Sequence, residues 1–181
     1  EGYITRAEAV STLDRALASA VEAVTYDKTG TYGPADGVKT VDGNVNISVA
    51  GVTLQNTIIT GNLFLADSIG DGDVTLKNVI VQGNTVIKGG GSHSVVFENC
   101  SLPNITVGKE GVRVVASGNT SINIVRLENG ATLVEVSLSG PGFETVTVTE
   151  MAPAGAEISL DGDFANVNVS ASDVNLKITG G

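Results

Sequence analysis

The side chains best placed to do chemistry in this 181-residue chain are carboxylates in turns. Asp67, Asp71 and Asp73 crowd the stretch ADSIGDGD, and Asp161 and Asp163 form LDGD. Alternate oxygen donors in a glycine-containing loop suit calcium, which takes about six to eight oxygens in flexible geometry. These five residues are the candidate metal ligands, with Asp71 and Asp73 the favoured pair, and the cofactor they imply is a structural calcium ion. Neither stretch matches an EF-hand loop, and an acidic turn also serves as plain solvated surface.

Catalytic arrangements are harder to assemble. A glycan hydrolase needs carboxylates clustered on one face, one as acid and another to activate water. A lyase needs a calcium site with an Arg or Lys base beside it. Glu98 is the clear acid between turns, but its counterparts in the neighbouring repeats are Gln55 and Lys77, so no stack of acids forms. Of the arginines Arg6, Arg15, Arg113 and Arg126, only the last two fall in the repeating region. His93, in GGGSHS, is the only histidine, which excludes paired-histidine metal chemistry. Ser92-His93-Ser94 is too local to form a nucleophilic triad. The single cysteine, Cys100, excludes an intrachain disulfide and reads as a small buried core residue. No catalytic residue emerges, and the expectation is a protein that is not an enzyme.

Composition narrows the partners. Twenty acids against ten bases give a formal net charge of −10. A nucleic-acid binder needs a basic stripe instead. No stretch reaches the roughly eighteen apolar residues of a membrane-spanning helix. Hydrophobic residues make up 41% of the chain while aromatics make up 4%, so the core must be built from Val, Ile, Leu and Ala.

A repeat supplies the scaffold that must position these residues. VTLQNTIITGNLFL, VTLKNVIVQGNTVI and VVFENCSLPNITV open at Val52, Val74 and Val95, steps of 22 and 21 residues. Asn56, Asn78 and Asn99 keep the same step. A period near twenty with short β-type segments marks a coiled repeat. Each copy divides into three strands with inward residues at period two, namely Val52, Leu54, Thr57, Ile59, Leu63 and Leu65 in the first. Val74, Leu76, Val79, Val81, Thr85 and Ile87 fill the same places in the second copy. Val95, Phe97, Cys100, Leu102, Ile105 and Val107 do so in the third. The fold expected is all-β: a right-handed parallel β-helix of about seven turns. The three asparagines stack at one corner, and residues 151–156 leave the stack as a loop. Outward residues Thr53, Thr75, Val96 and Arg113 form one column with Gln55, Lys77 and Glu98 beside it. That flat polar face is the candidate polysaccharide site, with Thr53, Gln55, Thr75, Lys77, Glu98 and Arg113 as its binding residues. Phe64, Tyr26 and Tyr32 are the aromatic candidates for a sugar contact.

Ahead of the coil, residues 4–24 carry a helical pattern. Thr5 and Glu8 form a capping box, and Ala9, Val10, Leu13, Ala16, Leu17, Ala20, Val21 and Val24 make one apolar stripe. Such a helix must dock on an end or a face of the coil to bury that stripe. The organisation expected is a helix over residues 1–25, a connector over 26–37 and the β-helix over 38–181.

Two resemblances add context. ITRAE at residues 4–8, continuing as AVSTLDRAL, resembles the end of an S-layer homology module over about seventeen residues. That implies wall-anchoring modules upstream in a secreted protein on the bacterial cell surface. With the TYGPADG connector and the VTLQNTIITGN repeat style, most of the chain resembles a family 54 carbohydrate-binding module. The resemblance implies a non-catalytic β-helix that holds a secreted glycoside hydrolase on insoluble β-glucan, xylan or chitin, as a monomeric unit of a multidomain protein. Its binding residues are not carried over, because no site motif of the family is legible. The alternatives are a spacer or adhesin stalk on the cell surface, and a β-helix polysaccharide lyase or hydrolase.

Overall fold

The computed structural model describes residues 23–92 and 95–180. The helix expected over residues 4–24 lies outside these up to residue 22, as do His93 and Ser94.

Short alternating segments become short strands. The early ones are β1 (Val24–Tyr26), β2 (Gly30–Tyr32), β3 (Lys39–Val41), β4 (Val45–Ile47), β5 (Val52–Ile59) and β6 (Leu63–Leu65). The central ones are β7 (Val74–Val81), β8 (Asn84–Ile87), β9 (Val95–Glu98), β10 (Ser101–Val107), β11 (Val112–Gly118) and β12 (Ser121–Leu127). β13 (Ala131–Leu138), β14 (Gly142–Val148), β15 (Glu157–Asp161), β16 (Asn166–Val169) and β17 (Asn175–Thr179) complete the series.

Among the described residues every strand pairing is parallel and joins a strand to one about a turn away, which is the topology of a β-solenoid of about seven turns. Three faces result. Face A stacks β1, β4, β6 and β8 and then the C-terminal halves of β10, β12 and β14, ending on β16. Face B stacks β2, the first half of β5, the first half of β7, β9, β11, β13, β15 and β17. Face C takes β3, the second halves of β5 and β7 and the starts of β10, β12 and β14.

The core is the inside of this triangle. All six inward residues of each of the three repeats are buried, Thr57 and Thr85 included. One turn has no second layer to cover its apolar side, so burial is completed only by the turns on either side. The coil starts earlier than the connector reading expects. β1 and β2 already pair with β4 and β5, and the rings of Tyr26 and Tyr32 lie 4.3 Å apart at that end.

The corner between faces B and C follows the asparagines. Asn56, Asn78 and Asn99 hold φ of 48°, 52° and 54°, the left-handed region that Asn tolerates better than other residues with a side chain. Just inside this corner, the Thr57 hydroxyl and the Cys100 thiol donate to the carbonyls of Gln55 and Glu98, two residues back.

Candidate functional site

Face B carries the residues singled out for polysaccharide. The β5–β7 register sets Thr53 beside Thr75 and Gln55 beside Lys77, and the β7–β9 register sets Lys77 beside Glu98. Thr31 extends the hydroxyl column by one turn. Five of the six residues therefore share one surface.

Arg113 does not join that column. Val115 stands beside Val96 instead, and Arg113 is level with Thr132. The turn before β11, residues 108–111, is short, so the strand starts two positions ahead of the point where Val114 meets Val95. The Thr31–Thr53–Thr75 column thus continues as Val96, Val115 and Val134, and the last two are buried although they alternate outward.

The polar groups beside this column are engaged. Lys77 Nζ lies 3.1 Å from Glu98 Oε2, and Gln55 Nε2 donates to the Pro34 carbonyl at 3.0 Å. An exposed pair of this kind contributes little to stability. It does mean that a ligand must compete for these side chains.

The acidic turns are taken up differently. Asp67 begins a short 3-10 helix, Asp67–Ile69, whose Ile69 is buried. Asp71 is ion-paired with Lys109 at 2.9 Å, across from another turn of the coil. Asp161 stands in the column of Val134 and Thr179, and the backbone N–H of Asp163 donates to Glu135 Oε2 at 2.8 Å. Among the described residues, no three His, Cys, Asp or Glu side chains gather closely enough to hold a metal ion.

Glu135 is a structural residue that sequence reasoning missed. The register aligns it with Ala116, on the inward side of the strand, where an acid is unexpected. Its carboxylate accepts from the N–H of Phe143 and of Asp163, both at 2.8 Å. Gly142 and Gly162 leave the room it occupies, since a Cβ on either would collide with it. The signal was present in Leu133–Val136, where an acid holds an inward slot.

Cys100 is buried, and its thiol contacts the carbonyls of Leu76 and Glu98. Burial pushes the thiol pKa up to about 12, so it stays protonated and unreactive at neutral pH. Of the aromatic candidates, Tyr26 is core and its hydroxyl pKa is raised by burial and then by Tyr32. Phe64 alternates outward between the buried Leu63 and Leu65.

Comparison with family models, curated proteins and solved structures finds no match. The geometry of the outward faces carries the functional argument.

Proposed function

We propose that this chain is a non-catalytic carbohydrate-binding module of the family 54 kind, which holds a secreted glycoside hydrolase on insoluble β-glucan, xylan or chitin at the bacterial cell surface. The observation that supports this reading is the in-register column Thr31–Thr53–Thr75 on a parallel sheet. Strand spacing repeats those hydroxyls about every 4.8 Å along the axis. A rigid ladder of equal steps suits an extended polymer better than a compact metabolite. Gln55, Lys77 and Glu98 flank the ladder and supply both donors and acceptors. The module acts as a monomer within its parent protein.

Calcium belongs to the same proposal, with Asp71 and Asp73 as first ligands and Lys109 displaced from Asp71 on binding. A fall in melting temperature on chelation supports it, and an unchanged melting temperature counts against it.

A pull-down with insoluble β-glucan, xylan and chitin tests the main reading against albumin as the inert control. A spacer or stalk is the second reading, and the closure of Lys77 on Glu98 and of Gln55 on Pro34 favours it. Retention no better than albumin on all three polymers decides for the spacer.

A further inference from the structure

Face A has its own outward column, and it is unlike that of face B. Thr25, Asn46, Phe64 and Val86 stand level on four successive strands, β1, β4, β6 and β8. A groove of about 630 Å³ runs over them, with Asp67 and Lys88 at its edge. Ligand pockets fall at roughly 300–1,000 Å³ and combine an apolar floor with a few polar groups, which describes this groove.

The second contrast is in the polar groups. On face B, Lys77 and Glu98 neutralise one another. Among the described residues, Asp67 and Lys88 make no ion pair and their side chains make no hydrogen bond. One carboxylate, one ammonium, one amide and one hydroxyl therefore surround a single outward phenyl ring. Of the other aromatic rings described, Tyr26 and Tyr32 lie against each other at a tilt at the first turn, Phe97 and Phe143 are buried, and Phe164 stacks on Phe143.

We propose that this groove seats one pyranose ring of an uncharged, β-linked glycan, with Phe64 as the platform under its C–H face. Resting on the carbohydrate-binding reading, the assignment adds on face A the aromatic contact that the polar column of face B lacks. A ring whose hydroxyls are all equatorial presents flat C–H faces, and those pack on a phenyl ring. Its hydroxyls project around the rim, where Asp67 accepts, Lys88 donates, and Asn46 and Thr25 do both. A polyanionic glycan fits less well, because Asp67 and the net charge of −10 oppose it. The apolar stripe read in residues 4–24 is the rival occupant, since Ala23 lies at the groove and the chain enters there.

The test is adsorption of the full chain to insoluble β-glucan, xylan and chitin, with melting temperature measured on every variant. Phe64→Ala should weaken retention by about tenfold or more. Asp67→Asn and Lys88→Ala should each weaken it less, and Phe64→Ala should cost more retention than Thr53→Ala with Thr75→Ala. The assignment is overturned if Phe64→Ala binds as well as the parent chain, and more so if it melts lower, because the groove is then filled by the chain itself. Loss on Thr53→Ala with Thr75→Ala alone overturns it in favour of face B and keeps the binding reading. Absence of retention by the parent chain removes both.

Discussion

Asn78 donates from Nδ2 to Oδ1 of Asn56, one turn earlier in the coil, at 2.9 Å. Asn56 in turn donates to the carbonyls of Pro34 and Ala35, and Asn99 Oδ1 accepts from the N–H of Asn119. One residue type thus solves two problems at this corner. It accepts a left-handed backbone, and it links one turn to the next.

Replacing Asn78 separates the two. Asn78→Ala keeps a side chain in the left-handed region and loses the amide, for a loss of about 1–3 kcal/mol. Asn78→Gly loses only the amide bond and should cost about 1 kcal/mol or less. Urea unfolding of both variants checks the order, and equal losses would mean that backbone strain is absent from this corner.

Glu135 holds two backbone donors from different segments, Phe143 N–H and Asp163 N–H. The first is partly buried, whereas the second can turn to water. Glu135→Ala should therefore destabilise by about 1–3 kcal/mol, and Glu135→Gln, which retains an acceptor oxygen, by less. The same unfolding measurement applies. An alanine variant as stable as the parent would remove Glu135 from the set of structural residues.

Thr85 presents the opposite case. Its Oγ1 is buried and has no hydrogen-bond partner among the described residues, in the slot where the preceding strand has Leu63 and the next has Ile105. Thr85→Val keeps the shape and removes the unmet hydroxyl, so it should raise stability by roughly 0.5–2 kcal/mol. A drop in melting temperature instead would show that the hydroxyl is satisfied in solution.

Cys100 makes stability depend on alkaline pH. Its pKa rises from 9.0 to about 12 in the folded chain. Above pH 9 the unfolded chain releases this proton and the folded chain keeps it, so protonation favours folding below 9 and that contribution is lost on the way to about 12. The slope is about 1.4 kcal/mol per pH unit at most. Cys100→Ala should flatten the fall in stability between pH 9 and 11, and thiol reagents should label the parent chain only after unfolding. Rapid labelling of the native chain at pH 7 would contradict the buried thiol.

Much of the fold was legible because inward residues alternate within strands and recur every 21 or 22 residues, and stacking the turns at that step sets Leu54, Leu76 and Phe97 level with one another in the core. The asparagine corner was legible for the same reason. The first turn was not, because β1 and β2 are three residues each and lie partly among the Gly, Pro and Asp of a stretch that reads as connector. Arg113 was misplaced because turn length, which shifts register, leaves no mark in the alternation of Val112 and Val114. The Asp71–Lys109 pair joins residues 38 positions apart and depends on which turns of the coil come together. The column through Phe64 was hidden likewise, since Thr25, Asn46, Phe64 and Val86 become neighbours only once the strand register is known.

The central claim is that this coil binds polysaccharide by a defined site. An adsorption isotherm on insoluble β-glucan, with and without a soluble β-glucan oligosaccharide, addresses it most directly. The account predicts saturable adsorption that the oligosaccharide displaces. Linear adsorption at the level of albumin, unaffected by the oligosaccharide and repeated on xylan and chitin, would contradict it and leave a structural spacer.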